Sequence, residues 1–162
     1  MVIFTVILTP YWTAFTDAYF KKDFSWIKLS IHKLIRFCIL IFFFSLFMVF
    51  ISSYVFEIWV GNAIKVPLSL SFSLCFYIAV MNWSSIFSNF LNCVGKIRLQ
   101  IIIAPFIGVI NILFSIIFVK HLNFGISSIP LANIFSLSIG AIIGYIQYNK
   151  IINNKAQGIW DK

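Results

Sequence analysis

Charged residues divide this chain into long uncharged stretches that are mostly apolar. An α-helix rises about 1.5 Å per residue, so roughly 20 apolar residues cross the hydrocarbon core of a bilayer. Four stretches reach that length. The pattern therefore predicts four full membrane-spanning helices, at about residues 37–56, 67–94, 99–119 and 124–148.

Two shorter segments precede the first predicted span. Residues 1–16 are apolar but too short for a full span, and they contain Pro10; we expect a partial helix, the end of a span whose beginning is missing. Residues 24–36 alternate apolar and basic positions with helical period, which predicts an amphipathic helix at the membrane interface. Asp23 or Ser25 is expected to cap its start. The predicted fold is an all-α integral membrane protein with a single membrane domain over residues 1–162.

The gaps between the apolar stretches differ in positive charge. Residues 17–36, before the first predicted span, carry five basic residues, and residues 57–65, after it, carry only Lys65. Lys96 and Arg98 follow the second span, Lys120 alone follows the third, and the tail has three basic residues. Basic-rich loops mark the cytoplasmic side of a membrane protein. The alternation predicts a cytoplasmic C-terminus. It also places residues 24–36 on the inner side.

Composition agrees with a membrane location. Hydrophobic residues make up 62% of the chain and charged residues 10%, whereas soluble domains have about 25% charged residues. The net charge of +8 is divided among several short loops and does not form one stripe, which argues against nucleic acid as a partner. Anionic membrane lipids are the expected partners of these basic loops.

Polar residues inside the apolar stretches form two helical stripes. The first comprises Thr5, Thr9, Thr13 and Thr16, and the second comprises Asn82, Ser85, Asn89 and Asn92, with Ser88 beside it. Residues three or four apart share one helix face. The Thr hydroxyls either bond to carbonyls one turn away or face a polar cavity. The amides of the second stripe are costly to leave unpaired in hydrocarbon, so that face should meet protein or water.

A third stripe consists of small residues, at Ala132, Ser136, Gly140 and Gly144. Small residues four apart allow two helices to approach closely. This stripe is the predicted helix-packing face.

Candidate catalytic chemistry is sparse. The acidic residues are Asp17, Asp23, Glu57 and Asp161, and all lie at or beyond the predicted helix ends. Asp17 and Asp23 share a loop. They form either a metal-binding or catalytic pair, or they are solvated loop residues or helix caps. No phosphate-binding, hydrolase or metalloprotease motif is present. We therefore expect no catalytic residues, no metal site, no cofactor and no enzymatic activity.

Two segments resemble a known family. The first is TPYWTAFTDAYFKKDFSWIK, at residues 9–28, and the second is FLNCVGKIRLQ, at residues 90–100. They resemble the segments that follow the eighth and tenth helices of bacterial polysaccharide flippases. These flippases include O-antigen translocases and belong to the multidrug/oligosaccharidyl-lipid/polysaccharide exporter superfamily. In the second segment Asn92, Gly95 and Lys96 match an NGxGK-like core, and Cys93 replaces its usual Gly.

The resemblance implies the C-terminal portion of a twelve-helix exporter built from two six-helix lobes. Such proteins move an undecaprenyl-diphosphate-linked oligosaccharide across the bacterial inner membrane. The substrate-path candidates are Thr5, Thr9, Thr13, Asn82, Ser85, Asn89 and Asn92. The expected partners are the lipid-linked oligosaccharide and a missing N-terminal lobe or other membrane subunits. Without a first lobe, the chain is expected to be inactive alone.

Three alternatives stay open. The chain is a small structural or accessory subunit that assembles through the stripe at 132–144, a membrane-embedded glycan enzyme that uses Asp17 and Asp23, or part of a related drug exporter.

Overall fold

The computed structural model describes residues 2–60, 66–122 and 124–161, and the part of the chain that it describes is helical and contains no strand. Its α-helices are α1 (Val2–Leu8), α2 (Tyr11–Phe20), α3 (Phe24–Val60), α4 (Leu68–Cys93), α5 (Arg98–Lys120) and α6 (Ser128–Ile152). Two short 3₁₀ turns, Gly125–Ser127 and Gly158–Asp161, precede and follow α6.

Four segments are long and apolar enough to cross a membrane: α3, α4, α5, and α6 together with the turn before it. The predicted number of helices long and apolar enough to span is confirmed, and it indicates a multi-pass membrane protein. The predicted orientation in the membrane depends partly on Lys65 and Lys162, and both lie outside the described residues.

The segment 24–36 differs from the prediction of a separate interfacial helix. It is the first third of α3, which runs without interruption for 37 residues. The apolar side of this segment is buried in the protein core, where Ile27 and Ile31 are at most 1% exposed. The period of residues 24–36 therefore predicts the amphipathic helix correctly, but the apolar face of this helix packs against other helices of the same chain.

The segment 1–16 also differs from the predicted single partial helix. It contains α1 and the first part of α2, which meet at a turn over Thr9 and Pro10. Proline has no backbone N–H and its ring crowds the carbonyl four residues earlier, so a helix breaks or bends there. Thr13 lies in α2, beyond this turn, and is exposed.

The spanning helices form a layer in the order α3, α4, α6, α5, so that α6 packs against both α4 and α5. The pair α1 and α2 lies against α4, and α2 also touches α3. Aromatic rings pack where α2, α4 and α6 meet. The centre of the Phe90 ring lies 5.6 Å from that of Phe15 and 5.3 Å from that of Tyr148, and both pairs are edge to face. This core lies near the turns at 21–23 and 94–97 and near the tail, and we call that end of the layer the basic end.

The small-residue stripe packs inside the layer, on α6. Ala132 and Ser136 are at most 1% exposed. A Cβ atom added at Gly140 would lie 2.9 Å from Ile107 Cδ1 of α5, and one added at Gly144 would lie 3.6 Å from Phe87 Cβ of α4. The stripe therefore lets α6 fit closely between α4 and α5.

Candidate functional site: a polar groove between α1 and α4

The two polar stripes meet in one groove. Its volume is about 440 Å³, and it lies between α1, the start of α2 and the second half of α4. The groove is lined by Phe4, Thr5, Leu8, Thr9, Trp12, Asn82, Ser85, Ser88, Asn89 and Asn92. Six of the seven residues singled out from the sequence as substrate-path candidates line it. The exception is Thr13, which is exposed and lies outside the groove.

Helical spacing explains why α4 presents this face. Asn82, Ser85, Asn89 and Asn92 recur every three or four residues, so they form one stripe along the helix. The opposite side of the same helix carries Phe87, Phe90 and Leu91, which are fully buried. Burial of that apolar side fixes the rotation of α4 and turns the amide stripe towards α1.

Asn82 is the most deeply placed amide of the groove. Its exposed fraction is 2%, and within the described residues its side chain has no hydrogen-bond partner. An amide placed in an apolar environment without a partner costs free energy. A ligand or water molecule that enters the groove and bonds to this amide would remove that cost. Asn82 is therefore the residue of the groove best placed to bind a polar ligand.

Other polar groups of the groove are partly satisfied by their own helices. The Thr9 hydroxyl donates to the Thr5 carbonyl at 3.0 Å, and the Ser85 hydroxyl donates to the Met81 carbonyl at 2.8 Å. Asn89, which also lines the groove, accepts through Oδ1 from Cys93 Sγ at 3.4 Å. The two readings of the Thr stripe are thus compatible, because hydroxyls that donate within a helix still present lone pairs to a cavity.

The groove is electrically neutral: none of the described residues that line it is charged. Trp12 and Phe4 add aromatic surface, and the Trp12 side chain is 48% exposed. A wall of amides and hydroxyls beside aromatic rings suits a neutral ligand that is rich in hydroxyl groups. It does not suit a free anion, which would need Arg or Lys partners.

The two candidate acids have local structural roles outside the groove. Asp17 Oδ2 accepts from Lys21 Nζ at 2.7 Å, one turn along the chain. Asp23 caps α3, since its carboxylate accepts from Ser25 Oγ at 2.6 Å and from the Trp26 amide at 3.0 Å. These two bonds, the Ser25 bond first, lower the pKa of Asp23 below its ordinary value of 3.8. The capping role expected of Asp23 or Ser25 is confirmed for Asp23.

α1 and α2 are held against the end of α4 by a hydroxyl of the Thr stripe. Thr16 Oγ1 donates to the Cys93 carbonyl, and it lies 3.0 Å from both that oxygen and the Trp12 carbonyl. The carbonyl of Cys93 is one that the helix leaves unpaired at its end. Thr16 therefore fixes the wall of the groove formed by α1 and α2.

Sequence reasoning missed four lining residues: Phe4, Leu8, Trp12 and Ser88. Phe4 and Leu8 belong to α1 at helical spacing from Thr5, so they could have been found once the facing helix was known. Ser88 adjoins the amide stripe in sequence. Trp12 lies seven residues after Thr5, at helical spacing from it, so the same face pattern could have found it.

Comparisons with known proteins give no relative: no family model, curated protein or solved structure matches this chain.

Proposed function

We propose that the groove between α1 and α4 is part of a translocation path for a lipid-linked oligosaccharide, and that the chain forms part of the second lobe of a bacterial polysaccharide flippase of the inner membrane. The observation that carries this proposal is the meeting of the Thr and Asn/Ser stripes in one groove. The resemblance of residues 9–28 and 90–100 to flippase segments supports it. The proposal includes a cytoplasmic basic end, and hence a cytoplasmic C-terminus.

The neutral lining suggests which part of the substrate the groove contacts. Sugar hydroxyls both donate and accept hydrogen bonds, as the amides of Asn82, Asn89 and Asn92 do. A diphosphate would require cations that this wall lacks. The groove therefore contacts the glycan, and the diphosphate lies elsewhere on the path.

A single lobe is not expected to complete transport. Alternating access requires two bundles that rock about a central site, and the described helices form one layer with α1 and α2 on its side. The layer also leaves large apolar side chains uncovered, among them Phe106 and Ile112 of α5, each at least 60% exposed. Lipid or the first lobe would cover these faces. We infer that the chain binds substrate but does not move it alone.

The test is photocrosslinking in lipid nanodiscs. A photoreactive amino acid at position 89 should react with a radiolabelled undecaprenyl-diphosphate-linked glycan, and the same probe at position 112, on the exposed outer side of α5 and away from the groove, should not. Excess bare undecaprenyl diphosphate should compete poorly, since it lacks the sugars. Equal reaction at both positions, or full competition by the bare carrier, would contradict a glycan groove. Competition by an organic cation would instead favour a drug exporter.

The alternatives have less support. An accessory subunit was expected to assemble through the stripe at 132–144, but that stripe is already occupied by α4 and α5. A glycan enzyme was expected to use Asp17 and Asp23, and each of them already has a partner close in sequence.

A further inference from the structure

A second, partly open cavity lies behind the groove, bordered by α4, α5 and α6. Its volume is about 160 Å³, and we call it the inner chamber. Its lining includes Ser84 and Ser88 of α4, Gln100 of α5 and Gln147 of α6, together with aliphatic residues and the two glycines of the small-residue stripe. Ser88 lines both the groove and the inner chamber, so the two cavities adjoin.

Two buried polar atoms of the inner chamber lack partners. Gln100 Nε2 and Gln147 Oε1 are each buried with no hydrogen-bond partner within the described part of the chain. One is a donor and the other is an acceptor. Both belong to residues that line the same cavity.

The orientation of the Gln147 amide is fixed by its other contacts. Gln147 is 0% exposed, and its Nε2 donates to the Lys96 carbonyl at 3.1 Å and to the Trp160 carbonyl at 3.2 Å. Carbonyl oxygens only accept, so a reversed amide would lose both bonds. Oε1 must therefore point away from these carbonyls and stay without a protein partner.

We propose that the inner chamber is a binding site for ordered water, which accepts from Gln100 Nε2 and donates to Gln147 Oε1. Water satisfies both atoms at once, because each molecule donates twice and accepts twice. At roughly 30 Å³ per molecule, the chamber has room for a few waters. A sugar residue would not fit in this volume. A metal cation is disfavoured because none of the described residues that line the chamber is a carboxylate.

The water site would connect three parts of the basic end. Gln147 already holds the tail through Trp160 and the turn between α4 and α5 through Lys96. Lys96 in turn pairs with Asp161, with 3.0 Å between Nζ and Oδ1. Water bound at Gln147 Oε1 extends this network to α5 through Gln100. Because Ser88 separates the chamber from the groove, that water can exchange with the groove.

Hydroxyl-radical footprinting of the full chain in lipid nanodiscs tests the proposal, because ordered water beside a side chain promotes its oxidation. Ile143 lines the inner chamber. Its neighbour Ile142 is the same residue type at nearly the same depth, does not line the chamber and is exposed on the outside of the layer. We expect Ile143 to be oxidised several-fold faster than Ile142. Equal rates would show a dry chamber and overturn the proposal.

A variant identifies the residue that holds the water. Gln100→Leu removes the unpaired donor and should lower the Ile143 rate towards that of Ile142, while the Ile142 rate stays the same. Ser84→Ala is the matched control, since it removes a chamber hydroxyl but leaves both glutamines in place; the Ile143 rate should stay high. An Ile143 rate that Gln100→Leu leaves unchanged would overturn the role assigned to Gln100. The wild-type comparison decides the main proposal even if a variant fails to fold.

Discussion

Replacing Asn82 by Leu should stabilise the protein while it weakens glycan binding. Asn82 as a residue is 2% exposed, and its side-chain amide has no hydrogen-bond partner within the described residues. Leaving a buried polar group unpaired costs about 1–3 kcal/mol. Leu has nearly the same shape, so Asn82→Leu removes that cost without leaving a cavity. Because the amide borders the groove and is not fully enclosed, we expect the low end, a gain of about 1 kcal/mol.

Asn111 provides the matched control. Its Nδ2 donates to Asn133 Oδ1 at 2.8 Å and to Ser136 Oγ at 2.9 Å, which joins α5 to α6. Hydrogen bonds between membrane helices contribute about 0.6 kcal/mol on average. Asn111→Leu loses two of them, so it should destabilise by about 1 kcal/mol. The same chemical change is thus expected to have opposite signs at the two sites.

The assay is unfolding by SDS in mixed micelles, with helix content followed by circular dichroism. The free energy of unfolding should rise in Asn82→Leu and fall in Asn111→Leu. Crosslinking of the glycan at position 89 should fall in Asn82→Leu. If Asn82→Leu destabilised the protein as much as Asn111→Leu does, Asn82 would be a structural residue with a partner, and the assignment of the groove would lose its main support.

Three further predictions concern the fold. Phe90→Ala should destabilise by about 3–5 kcal/mol in the same assay, because Phe90 is fully buried among aromatic rings; a loss under about 1 kcal/mol would show that the site repacks. Gly144→Ala should stabilise by up to about 1 kcal/mol, since the new Cβ would meet Phe87 at an ordinary 3.6 Å, whereas Gly144→Leu should destabilise; equal effects would argue against close packing there. The pKa of Asp23 is lower in the folded protein than its ordinary 3.8, so its contribution to stability is present above pH 3.8 and is lost as the pH falls through the folded value. The stability difference between wild type and Asp23→Ala, which removes the cap, should therefore shrink as the pH is lowered below 3.8, and a constant difference would contradict a carboxylate cap.

Helix positions and the polar faces were predictable because both depend on local pattern. Length and hydropathy give α3 to α6 their spans, and a period of three to four residues gave the stripe from Asn82 to Asn92. The pattern alone does not predict that this stripe meets Thr5 and Thr9. Only the resemblance to flippases, in which the corresponding helices line one cavity, implies it. Which residues of a stripe reach the groove depends on how the helices pack, and Thr13 is exposed and lies outside it.

Contacts between distant segments were not predictable from the pattern. The apolar side of residues 24–36 looked suited to a membrane interface, because periodicity shows that a face is apolar but does not show what covers it. Gln147 gave no signal either, since a single glutamine near a helix end is usually a surface residue. Its role became evident from the carbonyls of Lys96 and Trp160, which lie 51 and 13 residues away in the chain.

The position of α6 between α4 and α5 has a consequence for biosynthesis. A ribosome produces α5 before α6, so α5 enters the bilayer while the helix that it packs against does not yet exist. During that time lipid must surround α5. The helix tolerates this because its charged residues, Arg98 and Lys120, lie at its ends. Because α6 joins α4 to α5, a nascent chain arrested before residue 128 would hold α4 and α5 without their common neighbour.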